Sequence, residues 1–223
     1  MLRIEQIDME LLMIDLSILP VFFTAIFFLV ISPGPDLVLI STYASTKGVW
    51  SGLMISVGIL IAGVIQTLLV AFGFGQLIQA MPAVAYGVKL VGAVYLAWIG
   101  AKLLVSWFQT REVPEDAQLS VESLGPFRLI NRGMLNNLLN PKALLFFSLF
   151  LPQFTTATAD VTVQIIILGL ILSSFAFVFN SLFAYSFATL GNVIGKRVQL
   201  GRHIDAVLGL IFIGLATRLA TNK

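Results

Sequence analysis

Apolar residues in this chain come in long runs, without the alternation of a half-buried strand or the narrow stripe of a soluble helix. The runs cover Leu16 to Tyr43, Leu53 to Phe74, Ala83 to Val105, Gly133 to Phe154, Val163 to Leu190 and Ile204 to Ala220. About 20 apolar residues suffice to carry a helix across a hydrocarbon core of about 30 Å. The pattern predicts an all-α membrane protein with six transmembrane helices. Two of the runs are interrupted where they should be continuous. The first contains Ser32-Pro33-Gly34-Pro35-Asp36 and the fourth contains Asn140-Pro141-Lys142.

The polar stretches between the runs set the organisation. Residues 1–15, MLRIEQIDMELLMID, carry four acids against Arg3 and read as a short tail, with Met9 or Met13 as alternative starts. The one long connection, 106–132, mixes charges and prolines without apolar periodicity and reads as a cytoplasmic loop. It separates residues 16–105 from 133–223, three spans each. One side of the membrane collects Lys47, Lys102, Arg111, Arg128, Arg132, Lys196, Arg197 and Arg202, and the other Arg3, Arg218 and Lys223. The positive-inside rule therefore places the loops after spans 1, 3 and 5 in the cytoplasm and both termini outside.

The two halves correspond. Spans 1 and 4 are broken, spans 2 and 5 carry the lone amides Gln66 and Asn180, and VGAVYLAWIGAKLL in span 3 matches LGLIFIGLATRLA in span 6. With three spans per half, the second must be inverted relative to the first. Inverted three-helix repeats with paired breaks point to a secondary transporter that binds its substrate near the midplane.

Composition narrows the chemistry. With 11% charged residues and no cysteine, the chain is not built to face water and cannot use thiols. His203 is the single histidine and Asp36 the single acid in the interior of a span, Asp205 standing at the edge of the sixth, so metal and diaspartyl chemistry lack their residues; no cofactor, metal or nucleic-acid partner is expected. Two alternatives to a transporter stay open. A channel-like pore for small polar solutes could use the same midplane charges, and an intramembrane hydrolase could use Ser32 or Ser148 with Lys142.

The breaks supply the candidate site. Proline removes a helix hydrogen bond and displaces the carbonyl four residues back, and in lipid that carbonyl must find a partner in protein or a wet cavity. Pro33, Gly34 and Pro35 should unwind span 1 and restart a half-helix with Asp36 in its first turn, where the dipole favours an anion. That dipole contributes about 1 kcal/mol, whereas a carboxylate near the bilayer centre costs about 3 kcal/mol. Further compensation is needed. Lys142 follows Pro141 at the corresponding place in span 4, so Asp36 and Lys142 should line one cavity, fit to bind a zwitterion or, at Asp36, a coupling proton. A purely structural ion pair is the alternative. Asn136 and Asn140 share a helical face beside the second break, with Asn137 adjacent, and Gln66 and Asn180 are further candidates for the cavity. Gly52, Ser56, Gly58, Ala62 and Gly63 read as close helix packing, and glycine-rich faces permit a homodimer.

PGPDLVLI, KGVWSGL, VKLVGAVYLAWIGAKLL and RGMLNNLLNPKALLFFSLFLPQF, in this order, resemble the LysE-type translocators, in the RhtB (homoserine/threonine efflux) branch of amino-acid exporters. The resemblance runs from about Leu16 to Ala220. It implies export of amino acids or their derivatives across a bacterial inner membrane, driven by the proton motive force, with Pro33, Gly34, Pro35, Asp36, Asn140, Pro141 and Lys142 at the motif positions. Neutral amino acids fit better than cationic ones, because Asp36 alone could pair with a cationic side chain.

Overall fold

The computed structural model describes residues 16–32, 34–80, 121–156 and 159–194, with 90, 94, 97–98, 100–102, 104–105, 210, 213–214 and 217; for 16, 74–80 and 190–194 the backbone alone is described. The tail 1–15, Pro33, most of spans 3 and 6, and the loop from 106 to 120 lie outside these residues, as do His203 and several of the basic residues that define the expected orientation.

All regular elements among the described residues are helical. A 3-10 turn at Leu16–Ile18 leads into α1 (Leu19–Ile31), followed by α2 (Pro35–Lys47), α3 (Val49–Ala80), α4 (Pro126–Leu138), α5 (Pro141–Leu145) and α6 (Val161–Ile194). Beyond α5 the chain continues through a π turn, Phe146–Phe150, and a 3-10 turn, Leu151–Phe154. By length and composition, α3 and α6 can each cross a membrane alone. Among the described residues two helix pairs pass that test together but bent, α1 with α2 at 53° and Pro126–Leu138 with Pro141–Phe154 at 56°. The interruptions read in the sequence are therefore true breaks.

The broken span 4 starts earlier than its hydropathy indicates. Residues 126–132, expected as the end of the loop, form the first two turns of α4 behind Pro126. The half-helix is amphipathic: Leu129, Gly133 and Asn137 are buried, while Arg128, Asn131 and Arg132 are exposed. An average over the window hides such a helix, whereas its one-sided burial reveals it. At the start of α6 the Asp160 carboxylate accepts from the Val163 N–H at 3.0 Å, an ordinary N-cap bond.

Small residues bring the long helices together. A Cβ built on Gly58 of α3 would overlap the carbonyl oxygen of Ile130, and one on Gly133 of α4 would overlap that of Ile55, so these two backbones touch. In lipid, where hydrophobic burial does not drive helices together, close van der Waals contact is a principal source of association. The turn from α2 to α3 passes through Gly48 at φ 87°, a conformation that a Cβ disfavours.

Two apolar cores result. Phe22, Ile26, Phe146, Phe150, Phe154 and Ile165 belong to one, Ile40, Tyr43, Ile55, Ile59, Leu129 and Ala184 to the other. Outward residues such as Leu69 and Phe72 on α3 and Val178 and Leu182 on α6 stay exposed, as expected of helices solvated by lipid. Both breaks lie between the two cores.

Candidate substrate site at the paired breaks

Gly34 is the N-cap of α2, with extended backbone at φ −162° and ψ 179°, and Pro35 occupies the first turn. Asp36 follows, half-buried and at the positive pole of the half-helix. Its carboxylate accepts three hydrogen bonds from the far side of span 4: Asn136 Nδ2 to Oδ1 at 2.7 Å, Asn137 Nδ2 to Oδ2 at 2.8 Å, and Asn140 Nδ2 to Oδ2 at 3.0 Å. Hydrogen bonds to an ionised acceptor contribute about 1.5–3 kcal/mol each. Three of them outweigh the cost of about 3 kcal/mol for placing the carboxylate in the membrane, which the dipole alone does not.

Asn140 also holds the second break. Its Oδ1 accepts the Lys142 N–H at 3.0 Å, capping α5, while Nδ2 of the same side chain reaches Asp36. Helical spacing places Asn136 and Asn140 on one face. Asn137 joins them because the helix ends at Leu138, with Leu139 as its C-cap, and Asn140 is extended, at φ −74° and ψ 111°, which swings Asn140 round to meet both.

Carbonyls left open at the two breaks take donors from side chains distant in sequence. Pro141 cannot donate to Asn137 O, and that carbonyl instead accepts from Asn140 N at 3.0 Å and from Gln66 Nε2 of α3 at 3.3 Å. At the first break, Ser32 O accepts from Lys142 Nζ at 3.0 Å. The lysine therefore stands at the C-terminal, negative pole of α1, a favourable place for a cation. Its aliphatic stem runs past Gly34, where a built Cβ would lie 3.7 Å from both Cδ and Nζ. Each break is thus completed by the other half of the molecule or by a neighbouring span.

Between the two cores lies a cavity of about 70 Å³, room for several water-sized groups. Asp36 and Lys142 both line it, with Gly34, Asn140 and Asn180. Asn137, Ser32, Ser173 and an apolar wall including Leu29, Leu37, Ile59, Phe147 and Leu172 complete it. Asn180 is 6% exposed and its side chain makes no hydrogen bond among the described residues, so its amide is available to a guest. Asn136 touches the cavity only through Asp36. Gln66 does not line it; at 2% exposure it lies behind the wall, where its amide serves the backbone. Pro35 and Pro141 shape the half-helices without lining the cavity, and Pro33 lies outside the described residues. Asn137 is the contact that spacing alone did not select; its position four residues before Pro141 marks the freed carbonyl and so its neighbourhood.

Residues 27–223 match the family model of the LysE type translocator. The leucine efflux protein of Salmonella typhimurium is 32% identical over 196 residues, covering 87% of this chain and 90% of that protein. That of Klebsiella pneumoniae is 30% identical over 195 residues, with 87% and 90% covered. An uncharacterized membrane protein of Pseudomonas aeruginosa is 27% identical over 195 residues, with the same coverage. No solved structure matches. Apolar helices broken at paired motifs agree with the family match: this chain is a multi-pass membrane protein of the LysE-type translocator family.

Proposed function

We propose that the protein is a secondary active exporter of neutral, apolar amino acids from the bacterial cytoplasm across the inner membrane, driven by the proton motive force, with the cavity between the breaks as its binding site. The observation that carries this reading is the shared cavity of Asp36 and Lys142, each held at the pole of a half-helix that suits its charge. A zwitterion offers the complementary pair. The ammonium group suits Asp36, the carboxylate suits Lys142 and the amide of Asn180, and an apolar side chain suits the wall of Leu29, Leu37, Ile59 and Leu172. Asp36 is the one acid among the lining residues, so a cationic side chain finds no second partner there. The names of the leucine efflux relatives support the same class. Six spans in two inverted repeats, with both termini outside, complete the proposed architecture, and the glycine-rich faces leave room for a homodimer.

The test is uptake of leucine into inside-out membrane vesicles energised by a proton gradient. We expect saturable, gradient-dependent accumulation that is lost on collapsing the gradient and in Asp36→Ala, with the variant present in the membrane at normal amount. Full transport by Asp36→Ala would reject the site. Non-saturable conductance in place of countertransport would reject the exporter in favour of a pore.

A further inference from the structure

The contacts of Asp36 do more than neutralise it. An ionised carboxylate offers about four lone-pair positions and donates nothing. Asn137 and Asn140 fill those of Oδ2, and Asn136 fills one on Oδ1. A single acceptor position remains, on Oδ1, and Asp36 lines the cavity.

We infer that Asn136, Asn137 and Asn140 form a charge-reading clamp: they leave Asp36 one position for which a coupling proton and a substrate ammonium compete, and only the proton loosens the hold of α2 on the second break. This rests on the exporter reading and supplies its coupling step. The two occupants differ in what they leave behind. An ammonium N–H donated to Oδ1 keeps the carboxylate ionised, so all three amide bonds stay charge-assisted. A proton on Oδ1 makes a neutral acid. The three bonds then lose their charge assistance together, and charge-assisted bonds are roughly twice as strong as neutral ones.

The loss is transmitted because the clamp joins separate elements. Asp36 belongs to α2, Asn136 and Asn137 to α4, and Asn140 to the non-helical residue between α4 and α5, whose Oδ1 caps α5. Releasing Nδ2 of Asn140 frees the break to reorient while the cap persists. The asparagines therefore act as positioning residues. Few other charges compete at this point. Among the described residues, α5 presents Lys142, engaged with Ser32 O, and Tyr43 with Arg132 lies about two turns along α2. Gln66 from α3 and Ser173 and Asn180 from α6 are neutral.

The chain has no cysteine, so a spin-label pair can be introduced without removing any residue. Ser45→Cys on α2 and Asn131→Cys on α4 are both exposed, and the distance between labels is read by pulsed electron resonance in the full chain reconstituted in liposomes. Acidification should lengthen that distance, whereas leucine at neutral pH should leave it unchanged. In Asp36→Asn the long distance should appear at both pH values, with no response to acid. In Asn140→Ser, which keeps a capping oxygen and drops the amide donor, the distribution should already be shifted towards the long distance at neutral pH. This second variant decides the matter if Asp36→Asn does not fold. A wild-type distance and acid response in either variant would overturn the clamp, as would lengthening by leucine as strong as that by acid. Leucine export without an Asp36-dependent distance change rejects the clamp alone; the distance change without export rejects the exporter reading alone.

Discussion

The two breaks reach nearly the same bend, 53° and 56°, by different local chemistry. The first is over-determined by its own sequence, with Pro35 starting the new helix behind the extended Gly34. It then depends on Lys142 from span 4 to satisfy Ser32 O. The second has a single proline and one non-helical residue, yet it caps itself through Asn140 and draws one further donor from Gln66. The first break contributes the acid and the second contributes the donors that hold it. Paired breaks need not be chemically symmetric: matching bends give the cavity its shape, and unlike side chains give it opposite charges.

That asymmetry can be tested by removing the donor that each break takes from elsewhere. The largest effect is expected from Lys142→Met, which leaves Ser32 O without its ammonium donor and takes the cation from the cavity. Vesicle leucine transport should fall by about tenfold to a hundredfold, the equivalent of about 1.5–3 kcal/mol for one charge-assisted bond. Transport within twofold of wild type would make the lysine dispensable and the comparison empty. Gln66→Leu should be milder, because Asn137 O keeps the Asn140 N–H. A loss of about 1 kcal/mol in a thermal or denaturant melt in detergent is expected, with transport retained; a loss matching Lys142→Met would show that the second break is no more self-sufficient than the first.

A smaller contrast isolates the cap. Asn140→Ser should melt later than Asn140→Ala by about 1 kcal/mol, because serine restores an N-cap oxygen that alanine lacks. Equal melting temperatures would remove capping from the account of the second break. Smallest of all should be Tyr43→Phe. The Tyr43 hydroxyl accepts from Arg132 at 2.7 Å and ties α2 to α4 away from the cavity, but the arginine is exposed. A change within about 0.5 kcal/mol is expected; a large loss would mean that the two half-helices are joined chiefly there and not through Asp36.

Much of this organisation was legible in the residues. Proline has no N–H, so the breaks followed from Pro35 and Pro141, and a carboxylate among apolar residues had to have partners. The glycines of α3 were readable as helix contacts because small residues are what membrane helices use, and Gly58 indeed meets the backbone of α4. What was not legible depended on where the chain turns. Asn136 and Asn140 fall on one helical face, but the end of α4 at Leu138 is what brings Asn137 into the same set. Gln66 looked like a group for the cavity because it is a lone amide in an apolar span; the structure turns it to the freed carbonyl of Asn137. The first turns of α4 were hidden because hydropathy averages both faces of an amphipathic helix.

By itself the sequence determined the helical class, the two break points and the identity of the charges beside them, since these follow from local covalent facts: a missing N–H, a fixed φ, and an ionisable group with no water to solvate it. Which donor meets which acceptor was decided only by the tertiary structure. Lys142 could have faced Asp36 directly. Packing instead gives the carboxylate three asparagine amides and sets the ammonium on Ser32 O, because a hydrogen bond needs its partners within about 3 Å, a proximity fixed by how four helix segments bend and cross.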